Sequence, residues 1–336
     1  MTLPDLTWRR PTRDDLGAWA RCVTDTEAVD RTGEIETEEM LSTCFDGIAH
    51  DPNDAWFGFL DSGEIGAWTW PFCFGASHRE IRVTLDGAVR PALRGRGLGS
   101  ALLPIAEHHG TTIIARRASS ADIPAWLEVQ AYEHHDDRTA LFDALGYRPL
   151  RYFDERRRDL SAPIDAPVVI DGLHVTRFDF AFDDAVLHAH NEAFADHWGS
   201  SPWSEREWKT YGTGAPDFRS DLSFVALAGG AVAGYAINAV HEHEWEALGH
   251  REGWIEELGV RRPWRGRGVA TSLLNASMRA FADAELHFAA LGVDAASPTG
   301  ADRLYARVGF ERVQGWTIFA KSVPDRAGPD FPPTFA

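Results

Sequence analysis

One segment of this chain occurs twice. Residues 89–99, VRPALRGRGLG, return at 260–270 as VRRPWRGRGVA, an offset of 171 positions. In both places an extended apolar run comes before the glycines and an apolar helical stretch follows them. A period of this length exceeds the roughly 20 to 50 residues of a solenoid repeat, so each copy belongs to a whole domain. The chain is therefore expected to fold as two domains built on one plan.

The boundary between the domains is expected where the charge and the proline content change. Residues 154–159, DERRRD, are a dense run of charges, and two prolines within residues 161–167 argue against a helix there. We therefore expect an N-terminal domain over residues 1–160, a linker over 161–172 and a C-terminal domain over 173–322. The remaining residues, 323–336, contain four prolines without periodicity, which indicates an irregular tail.

Both halves show the same order of secondary structure. Residues 56–60 and 65–68 are typical of a β-hairpin with a glycine-containing turn, and so are residues 223–228 and 232–237. Helical periodicity over residues 183–194 precedes the second hairpin. The order is helix, hairpin, third strand, glycine loop, helix, strand, helix. It predicts an α/β fold class in which a mixed, mostly antiparallel sheet is flanked by helices.

Composition argues against several functions. A net charge of −18 disfavours nucleic-acid binding, which places Lys and Arg against phosphates. No apolar run approaches the roughly 18 residues of a membrane span, and the first residues do not resemble a signal peptide. A cytoplasmic protein without a membrane partner is therefore expected. The three cysteines show no metal spacing, and the run 241–245 (HEHEW) with His250 lacks the pattern His-Glu-x-x-His, so no metal is expected.

The repeated glycine segment predicts an anion-binding site. Gly266 and Gly268 leave the main chain accessible where a helix begins, and the first N–H groups of a helix are unpaired. Arg265 and Arg267 add positive charge. Such a helix start suits a phosphate or pyrophosphate. A solvated glycine-rich turn is the alternative for one copy, and the presence of a second copy favours the anion site.

Two other phosphate-binding motifs fit poorly. The P-loop pattern Gly-x-x-x-x-Gly-Lys-Ser/Thr does not occur in the chain. A Rossmann fingerprint has its glycine loop after the first strand of the unit, whereas here the loop follows the third or fourth strand.

These residues resemble the GNAT superfamily of acyl-CoA-dependent N-acyltransferases. The family loop Gln/Arg-x-x-Gly-x-Gly/Ala is matched at residues 265–270 and again at 94–99. Residues 291–310 resemble the closing signature of the family, and FADHWG at 194–199 is similar to the actinobacterial tandem group that includes mycothiol synthase. The resemblance covers roughly residues 8–322. It implies two tandem GNAT-like domains, each with a V-shaped acyl-CoA cleft.

The resemblance implies acetyl-CoA (coenzyme A) as the cofactor, with a backbone N–H near the end of the third strand polarising the thioester carbonyl. The implied contacts in the second half are Leu258, Gly259, Val260, Arg265, Gly266, Arg267, Gly268, Val269, Ala270, Thr271 and Ser297. Those in the first half are Val89, Arg94, Gly95, Arg96, Gly97, Leu98, Gly99 and Ser100. Whether the first half binds acyl-CoA stays open. Ser297 stands where the family often has Asn.

Catalytic roles are implied for three residues. By resemblance, Tyr305 is the general acid, and a phenol of pKa about 10 can protonate a leaving thiolate whose thiol has a pKa of about 8.5. The attacking amine also needs a base, and Glu256 and Glu257 lie on the strand that would line the site. Strand alternation puts these two carboxylates on opposite faces, so at most one points at the substrate. Glu256 is the preferred candidate.

The first half departs from the family pattern, because Phe142 stands at the tyrosine position and cannot give a proton. We therefore expect a catalytic C-terminal domain and a degenerate N-terminal copy. The expected function is an acetyl-CoA-dependent N-acetyltransferase that transfers an acetyl or short acyl group to the primary amine of a small molecule by direct attack on the thioester. The alternatives are a non-catalytic acyl-CoA sensor or scaffold, and a protein or peptide N-acetyltransferase. A monomer is plausible, because the two copies would form an internal pseudo-dimer.

Overall fold

The computed structural model of the protein describes residues 6–45, 47, 49–74, 80–118, 120, 122–195, 197–295 and 301–323. The strands are β1 (Thr7–Arg9), β2 (Trp56–Phe59), β3 (Ile65–Thr69), β4 (Ile81–Thr84), β5 (Gly87–Val89), β6 (Ala125–Tyr132), β7 (Arg148–Asp159), β8 (Leu173–Arg177), β9 (Phe224–Ala228), β10 (Ala231–Ala239), β11 (Glu252–Val260), β12 (Phe288–Asp294) and β13 (Glu311–Ser322).

The α-helices are α1 (Leu16–Asp30), α2 (Glu38–Cys44), α3 (Leu98–Arg117), α4 (Asp136–Ala144), α5 (Asp183–Ala193), α6 (Glu205–Glu207), α7 (Trp245–Leu248), α8 (Val269–Asp283) and α9 (Ala301–Arg307). Single 3₁₀ turns occur at Arg13–Asp15, Pro91–Leu93, Phe180–Phe182, Glu242–Glu244 and Arg262–Trp264, and a π-helical turn at Trp208–Gly212. Among the helices of the described ranges, none has the length and hydropathy needed to cross a membrane. The α/β class and both hairpins, β2–β3 and β9–β10, are confirmed.

The chain folds into two compact units. The N-terminal unit comprises Met1–Tyr152 together with Trp316–Ala336, and the C-terminal unit comprises Phe153–Gly315. The division differs from the boundaries expected from sequence, because the two long strands β7 and β13 each begin in one unit and end in the other. Residues 153–159 thus belong with the C-terminal unit, and residues 316–322 belong with the N-terminal unit.

The charged run 154–159 is a strand rather than a segment leading into a linker. It pairs antiparallel with β12, from Asp154 opposite Val293 to Asp159 opposite Phe288. Its charges are satisfied inside the unit, since Arg157 lies 3.0 Å from the carboxylate of Glu155 and 2.8 Å from another carboxylate on β11. A run of charges is typical of a solvated segment. Here a strand forms instead, because Arg157 finds a partner on β11, far away in the sequence.

In the C-terminal unit, four antiparallel strands follow one another in the order β8, β9, β10 and β11. Strand β12 continues this sheet parallel to β11, and the second half of β7 pairs with β12. Helix α8 packs through Leu274, Met278 and Phe281 into a core that includes Ile255 of β11 and Leu291 of β12. Helix α5 packs through Val186 and Ala189 against β9 and β10.

Strands β11 and β12 separate along their length. Their parallel pairing covers Glu252–Trp254 of β11 among the described residues. Beyond Trp254, β11 stays paired with β10 as far as Val260, while β12 stays paired with β7 as far as Asp294. The carboxyl-terminal halves of the two parallel strands therefore lie on either side of a V-shaped opening.

The N-terminal unit repeats this arrangement. Strands β1, β2, β3 and β5 form one antiparallel sheet, and β4, β6 and residues 316–322 of β13 form a second set of pairs. Strand β4 runs parallel to β6, and β5 continues the same stretch of chain but pairs with β3. The break between β4 and β5 opens this unit at the position where the C-terminal unit opens.

The proline-containing segment before β8 lies along helix α8 inside the C-terminal unit. The amide of Asn275 donates to the carbonyl of Ala166 (3.2 Å), and the hydroxyl of Ser272 donates to the carbonyl of Val168 (3.2 Å). Arg279 donates to two further carbonyls in the same segment. Side chains of the helix thus satisfy the backbone of an extended segment that has no strand partner there.

Candidate active site

Each glycine loop leads directly into a helix whose first turn is uncapped. Gly266 and Gly268 have φ angles of 72° and 87°, and Gly268 is the N-cap of α8. In the N-terminal unit Gly95 and Gly97 have φ angles of 71° and 83°, and Gly97 is the N-cap of α3. Neither N-cap has a side chain, so the first N–H groups of both helices remain available. Both loops have the backbone conformation that the anion-site prediction requires.

The first arginine of each loop binds main-chain carbonyls. Nε of Arg265 donates to the carbonyl of Val260 (3.0 Å), and its terminal nitrogen donates to the carbonyl of Ala193 (2.8 Å). Nε of Arg94 makes the matching bond to the carbonyl of Val89 (2.9 Å). These arginines hold the loop against the end of the preceding strand. Because hydrogen bonds to neutral carbonyls leave the guanidinium charged, the expectation that Arg265 also adds positive charge for an anion stays a prediction.

The second arginine of the C-terminal loop is placed differently. The guanidinium of Arg267 lies over the ring of Trp264, 5.0 Å from its centroid, and Arg267 is exposed. An exposed cation at this place remains available to an anion at the helix start. The first loop arginine of the N-terminal unit, Arg94, also differs from its counterpart Arg265. Its charge is neutralised by the buried carboxylate of Asp30, which pairs with Arg138 at 2.6 Å as well.

The opening of the N-terminal unit is a cavity of about 570 Å³. The glycine loop and the start of α3 form one wall, through Val89, Arg94, Gly95, Gly97, Leu98, Gly99 and Ser100. The opposite wall includes Val129, Gln130 and Tyr132 from the part of β6 that has separated from β4 and β5. The cavity therefore lies where the family resemblance implies an acyl-CoA cleft.

In the C-terminal unit a carboxyl, a phenol and an imidazole converge beside the opening. Nδ1 of His190, on α5, lies 2.8 Å from the hydroxyl of Tyr235 on β10 and 3.8 Å from Oε2 of Glu257 on β11. His190 is 3 % exposed and Tyr235 is fully buried. Burial lowers the pKa of His190 to about 4, so the ring is neutral at pH 7 and its contact with Glu257 is not an ion pair.

The carboxyl of Glu257 has a pKa near neutral pH. Burial among these groups raises its pKa to about 8, and the charge of Glu256 adds to the rise. The side chain nevertheless keeps 25 % of its accessible area, so it lies in an open site rather than in the sealed core. Carboxyls with such raised values occur most often at functional sites.

Tyr305 lies on α9, near Glu257. Burial raises the pKa of Tyr305 to about 12, and the carboxylates of Glu257 and Asp302 contribute to the rise while Arg156 opposes it. The ring packs edge-on against Phe310, with centroids 6.0 Å apart. The phenol therefore holds its proton at neutral pH and stands within the electrostatic reach of Glu257.

Glu256 and Glu257 have different surroundings, although they are neighbours on β11. The pairing of β10 with β11 is irregular here: Ile237 lies opposite Glu257 and Asn238 lies opposite Ile255, so Glu256 is skipped by the register. Glu256 is exposed, and its carboxylate lies 2.9 Å from Nε2 of His241. The structure thus brings Glu257 together with Tyr305 and places Glu256 in a separate cluster with His241.

The N-terminal unit lacks the phenol. Phe142 is 8 % exposed and packs in the hydrophobic core against Tyr147 and Phe319. The position that corresponds to Glu257, 171 residues earlier, is Asp86, which lines the cavity. Asp86 is exposed by area, yet desolvation of its carboxyl raises its pKa, against the bond that it accepts from the N–H of Gly87.

Two residues of the C-terminal site have no signal in the sequence. His190 belongs to the apolar stripe of α5, and Tyr235 belongs to a strand of small and apolar residues. Only the register between β10 and β11, which places Tyr235 opposite Gly259, brings that ring beside Glu257. Ser297, predicted as a cofactor contact, lies outside the described residues.

The comparisons with known proteins agree with this geometry. The model of the acetyltransferase (GNAT) family matches residues 184–310. A mycothiol acetyltransferase from Salinispora tropica is 31 % identical over 253 residues, which cover 71 % of this chain and 74 % of the relative. Another from Thermobispora bispora is 30 % identical over 231 residues, covering 68 % of this chain and 72 % of the relative.

Solved structures match along nearly the whole chain. A GCN5-related N-acetyltransferase from Sphaerobacter thermophilus has a TM-score of 0.72 and 27 % identity, covering 98 % of this chain and 99 % of the other. A tandem GNAT protein from the clavulanic acid biosynthesis pathway has a TM-score of 0.69 with 15 % identity, covering 97 % of this chain and 100 % of the other, and so supports the tandem fold.

The repeat, the two separated strand pairs and the glycine loops are therefore those of two GNAT folds in tandem. The cofactor of such a protein is acetyl-CoA, and its reaction is the transfer of an acetyl group to an amine. The chain belongs to the GNAT family of acetyltransferases.

Proposed function

We propose that the C-terminal unit performs the acetyl transfer, with the primary amine of a small molecule as the acceptor. The observation that supports this most directly is the placement of Glu257 and Tyr305 in one site, where the charge of Glu257 adds to the burial that raises the pKa of Tyr305. One group is suited to take a proton and the other to give one. Both adjoin the strand that leads into the glycine loop.

The loop and helix start of this unit fit the pyrophosphate of acetyl-CoA. Positive φ angles at Gly266 and Gly268 keep the main chain free of side chains, and the first N–H groups of α8 have no capping partner. We assign the contacts to residues 258–260 and 265–271, with Arg267 as the exposed cation. When bound, the thioester supplies an activated acetyl carbon and a thiolate leaving group.

Glu257 serves as the base in this proposal. A charged amine cannot attack, so the carboxylate accepts one of its protons, directly or through a water. A pKa of about 8 is close to the value that a base needs at neutral pH. This assignment departs from the preference for Glu256 drawn from sequence, because the carboxylate of Glu256 contacts His241, whereas that of Glu257 acts on Tyr305.

Tyr305 serves as the acid. Its hydroxyl keeps its proton at neutral pH and donates it to the sulfur of the departing thiolate. A backbone N–H within residues 258–260 is assigned to the developing oxyanion, since this part of β11 borders the opening.

The N-terminal unit is proposed to hold acetyl-CoA without turning it over. It keeps the uncapped helix start, the loop glycines and a cavity of about 570 Å³. Phe142, which replaces the tyrosine, has no proton to give and is packed in the core. For the domain limits, we propose that residues 161–172 connect the two copies of the repeat. Strands β7 and β13 each begin in one unit and end in the other, and we call this the strand exchange. We further propose that one chain is the working unit.

A small cationic acceptor fits the charge of the chain. A net charge of −18 attracts amines over anions, and the relatives that match most of the chain are mycothiol acetyltransferases. We therefore propose a metabolite amine of that general size rather than a protein substrate, and the des-acetyl form of mycothiol belongs in the first acceptor panel.

The experiment is a calorimetric titration with acetyl-CoA, followed by release of free thiol over a panel of amines. We expect two binding sites, of which the one lost in Gly268→Ala supports turnover. Turnover that survives loss of this site and disappears in Gly97→Ala would overturn the assignment to the C-terminal unit. Binding without thiol release for any amine would instead favour an acyl-CoA sensor.

A further inference from the structure

Two histidines and a carboxylate converge at the end of β10 in a cluster that does not include Glu257 or Tyr305. One nitrogen of His241, one nitrogen of His243 and one oxygen of Asp217 all lie within 4.8 Å of one another. Nδ1 of His241 is 3.1 Å from Oδ2 of Asp217, and Nδ1 of His243 is 3.8 Å from Oδ1 of the same carboxylate. The three side chains are each about four-fifths buried, with 20 %, 19 % and 21 % of their area exposed for His241, His243 and Asp217.

These separations suit a small divalent ion. Bonds of roughly 2.0 to 2.2 Å to nitrogen and oxygen in tetrahedral geometry place neighbouring ligand atoms about 3.4 Å apart. The two histidines lie 3.1 Å and 3.8 Å from the two oxygens of Asp217, and one ligand atom from each of the three residues lies within 4.8 Å of the others. Side-chain rotations that shorten the longer of these separations would bring all three atoms to one ion.

A fourth residue supplies an independent argument. Nε2 of His241, the nitrogen that faces away from Asp217, lies 2.9 Å from the carboxylate of Glu256. Histidines that bind metals almost always donate their other ring N–H to a carboxylate, a carbonyl or water, which fixes the ring and makes it a better ligand. Glu256 takes the position of that orienting carboxylate, which leaves Nδ1 of His241 facing Asp217, the second proposed ligand.

The cluster is held by backbone structure on both sides. The N–H of Val240 donates to the carbonyl of Asp217 (3.0 Å), which ties the loop that carries Asp217 to the end of β10. His243 lies in the 3₁₀ turn Glu242–Glu244, which leads directly into α7. The ligands are thus fixed near one another by the fold before any ion arrives.

We propose that Asp217, His241 and His243 bind a divalent transition-metal ion, with Glu256 orienting His241 and one coordination position left to solvent. Two imidazoles and one carboxylate are a ligand set used for zinc and for ferrous iron. This proposal departs from the expectation of no metal, which rested on the cysteines, the run 241–245 and His250 and did not include Asp217, 24 residues before His241. The ion would cross-link the loop before β9, which carries Asp217, to the segment after β10, which carries His241 and His243. The site does not depend on the proposed acetyl transfer.

The test is zinc binding by the untagged full-length protein after treatment with a chelator. Titration calorimetry should find one zinc per chain, and substitution of cobalt should give the visible absorption of a four-coordinate ion. His243→Ala and Asp217→Asn should each weaken zinc binding at least 10-fold. Glu256→Gln should weaken it about 10-fold, as expected for loss of a partner that orients a ligand.

His250→Ala is the matched control. Nε2 of His250 also lies 2.9 Å from a carboxylate, that of Glu252, but this pair is not part of the three-residue cluster. The chain has 14 histidines, so weak binding elsewhere must be separated from the site. Zinc should raise the melting temperature of the wild-type and His250→Ala proteins and not that of His243→Ala. The proposal is overturned if no one-to-one binding is found, or if His250→Ala weakens it as much as His243→Ala does. Circular dichroism of each variant establishes that it is folded.

Discussion

Oε2 of Glu257 lies 3.8 Å from Nδ1 of His190, and that nitrogen lies 2.8 Å from the hydroxyl of Tyr235. The carboxyl therefore faces a neutral imidazole and a phenol, with no cation to stabilise its charge among these neighbours. Its ionised form is costly in the folded protein. This cost connects the proposed role of Glu257 in catalysis with the stability of the chain.

Activity should rise with pH through the ionisation of Glu257. Its pKa of about 8 means that the base is mostly protonated at pH 6 and mostly ionised above pH 8. The profile of kcat/KM should be measured with an acceptor amine of low pKa, so that the amine does not titrate in the same range. Glu257→Gln should lower kcat about 10²- to 10⁴-fold and abolish this rise.

Glu256→Gln is the control for that experiment. It removes the neighbouring charge but leaves the proposed base, so the rise with pH should remain and shift toward lower pH. A rise that is unchanged in Glu257→Gln would contradict the assignment.

The same residue should make the protein less stable at high pH. Glu257 binds its proton more tightly in the folded state than in the unfolded state, so its contribution to stability is full below pH 4.5 and is lost as the pH rises through about 8. Glu257→Gln cannot ionise. The melting temperature of the variant relative to wild type should therefore be higher at pH 9 than at pH 5, and equal differences at the two pH values would argue against a buried, ionisable carboxyl.

Tyr305→Phe should lower kcat about 10²-fold or more, with a much smaller change in the KM for acetyl-CoA, because the hydroxyl acts on the leaving group. The ring stays in contact with Phe310, so stability should change little. Phe142→Tyr is the matched change in the N-terminal unit and should leave kcat unaltered. A comparable loss from Arg94→Ala and Tyr305→Phe would show that both units take part in turnover.

Gly259→Ala should disrupt the site from within the sheet. A Cβ at this position would overlap the ring and hydroxyl of Tyr235, which lies directly opposite on β10. Displacing the ring breaks its contact with His190 and moves a wall of the Glu257 site, so kcat and the melting temperature should both fall.

Tyr235→Phe separates the two effects of that change. It keeps the ring in place and removes only the hydroxyl that contacts His190. It should therefore alter the dependence of kcat/KM on pH, and it should lower the melting temperature less than Gly259→Ala does. Wild-type activity and stability in Gly259→Ala would contradict the prediction that a Cβ at this position displaces the ring of Tyr235.

The two arginines of the C-terminal loop should respond differently to substitution. Arg265→Ala removes bonds to the carbonyls of Val260 and Ala193, so we expect a loss of about 1 kcal/mol in the free energy of unfolding together with weaker acetyl-CoA binding. Arg267→Ala removes an exposed cation and should weaken acetyl-CoA binding with little effect on the free energy of unfolding. The loss of binding should be larger at low salt, where the attraction is less screened. Equal stability losses from both variants would contradict the structural role of Arg265.

Much of the fold is readable from the sequence, because the repeated elements carry local signals. The glycines of each loop, the alternation in the hairpins and the periodicity of α5 each determine structure within a few residues. The strand exchange is not readable in this way. Residues 154–159 look like a solvated segment until Glu252, nearly a hundred positions later, supplies a partner for Arg157.

The site shows the same limit. Tyr305 and the two glutamates are found by motif and by strand position, but the choice between Glu256 and Glu257 depends on an irregular pairing opposite Ile237 and Asn238. His190 and Asp217 come from other elements altogether. Their roles arise from which strands and helices meet, and spacing along the chain does not contain that information.

The exchange of strands has a consequence for how the protein is made. Residues 316–322 complete the N-terminal unit by pairing with β6, and Phe319 is buried in its core against Phe142. A ribosome delivers these residues long after the rest of that unit has emerged. Domains usually fold in the order of their synthesis. The N-terminal unit cannot complete its sheet in that order, because the edge of β6 stays unpaired until residues 316–322 have been translated. A fragment that ends at residue 160 would keep this unpaired edge, and a peptide that carries residues 316–322 would supply the missing strand.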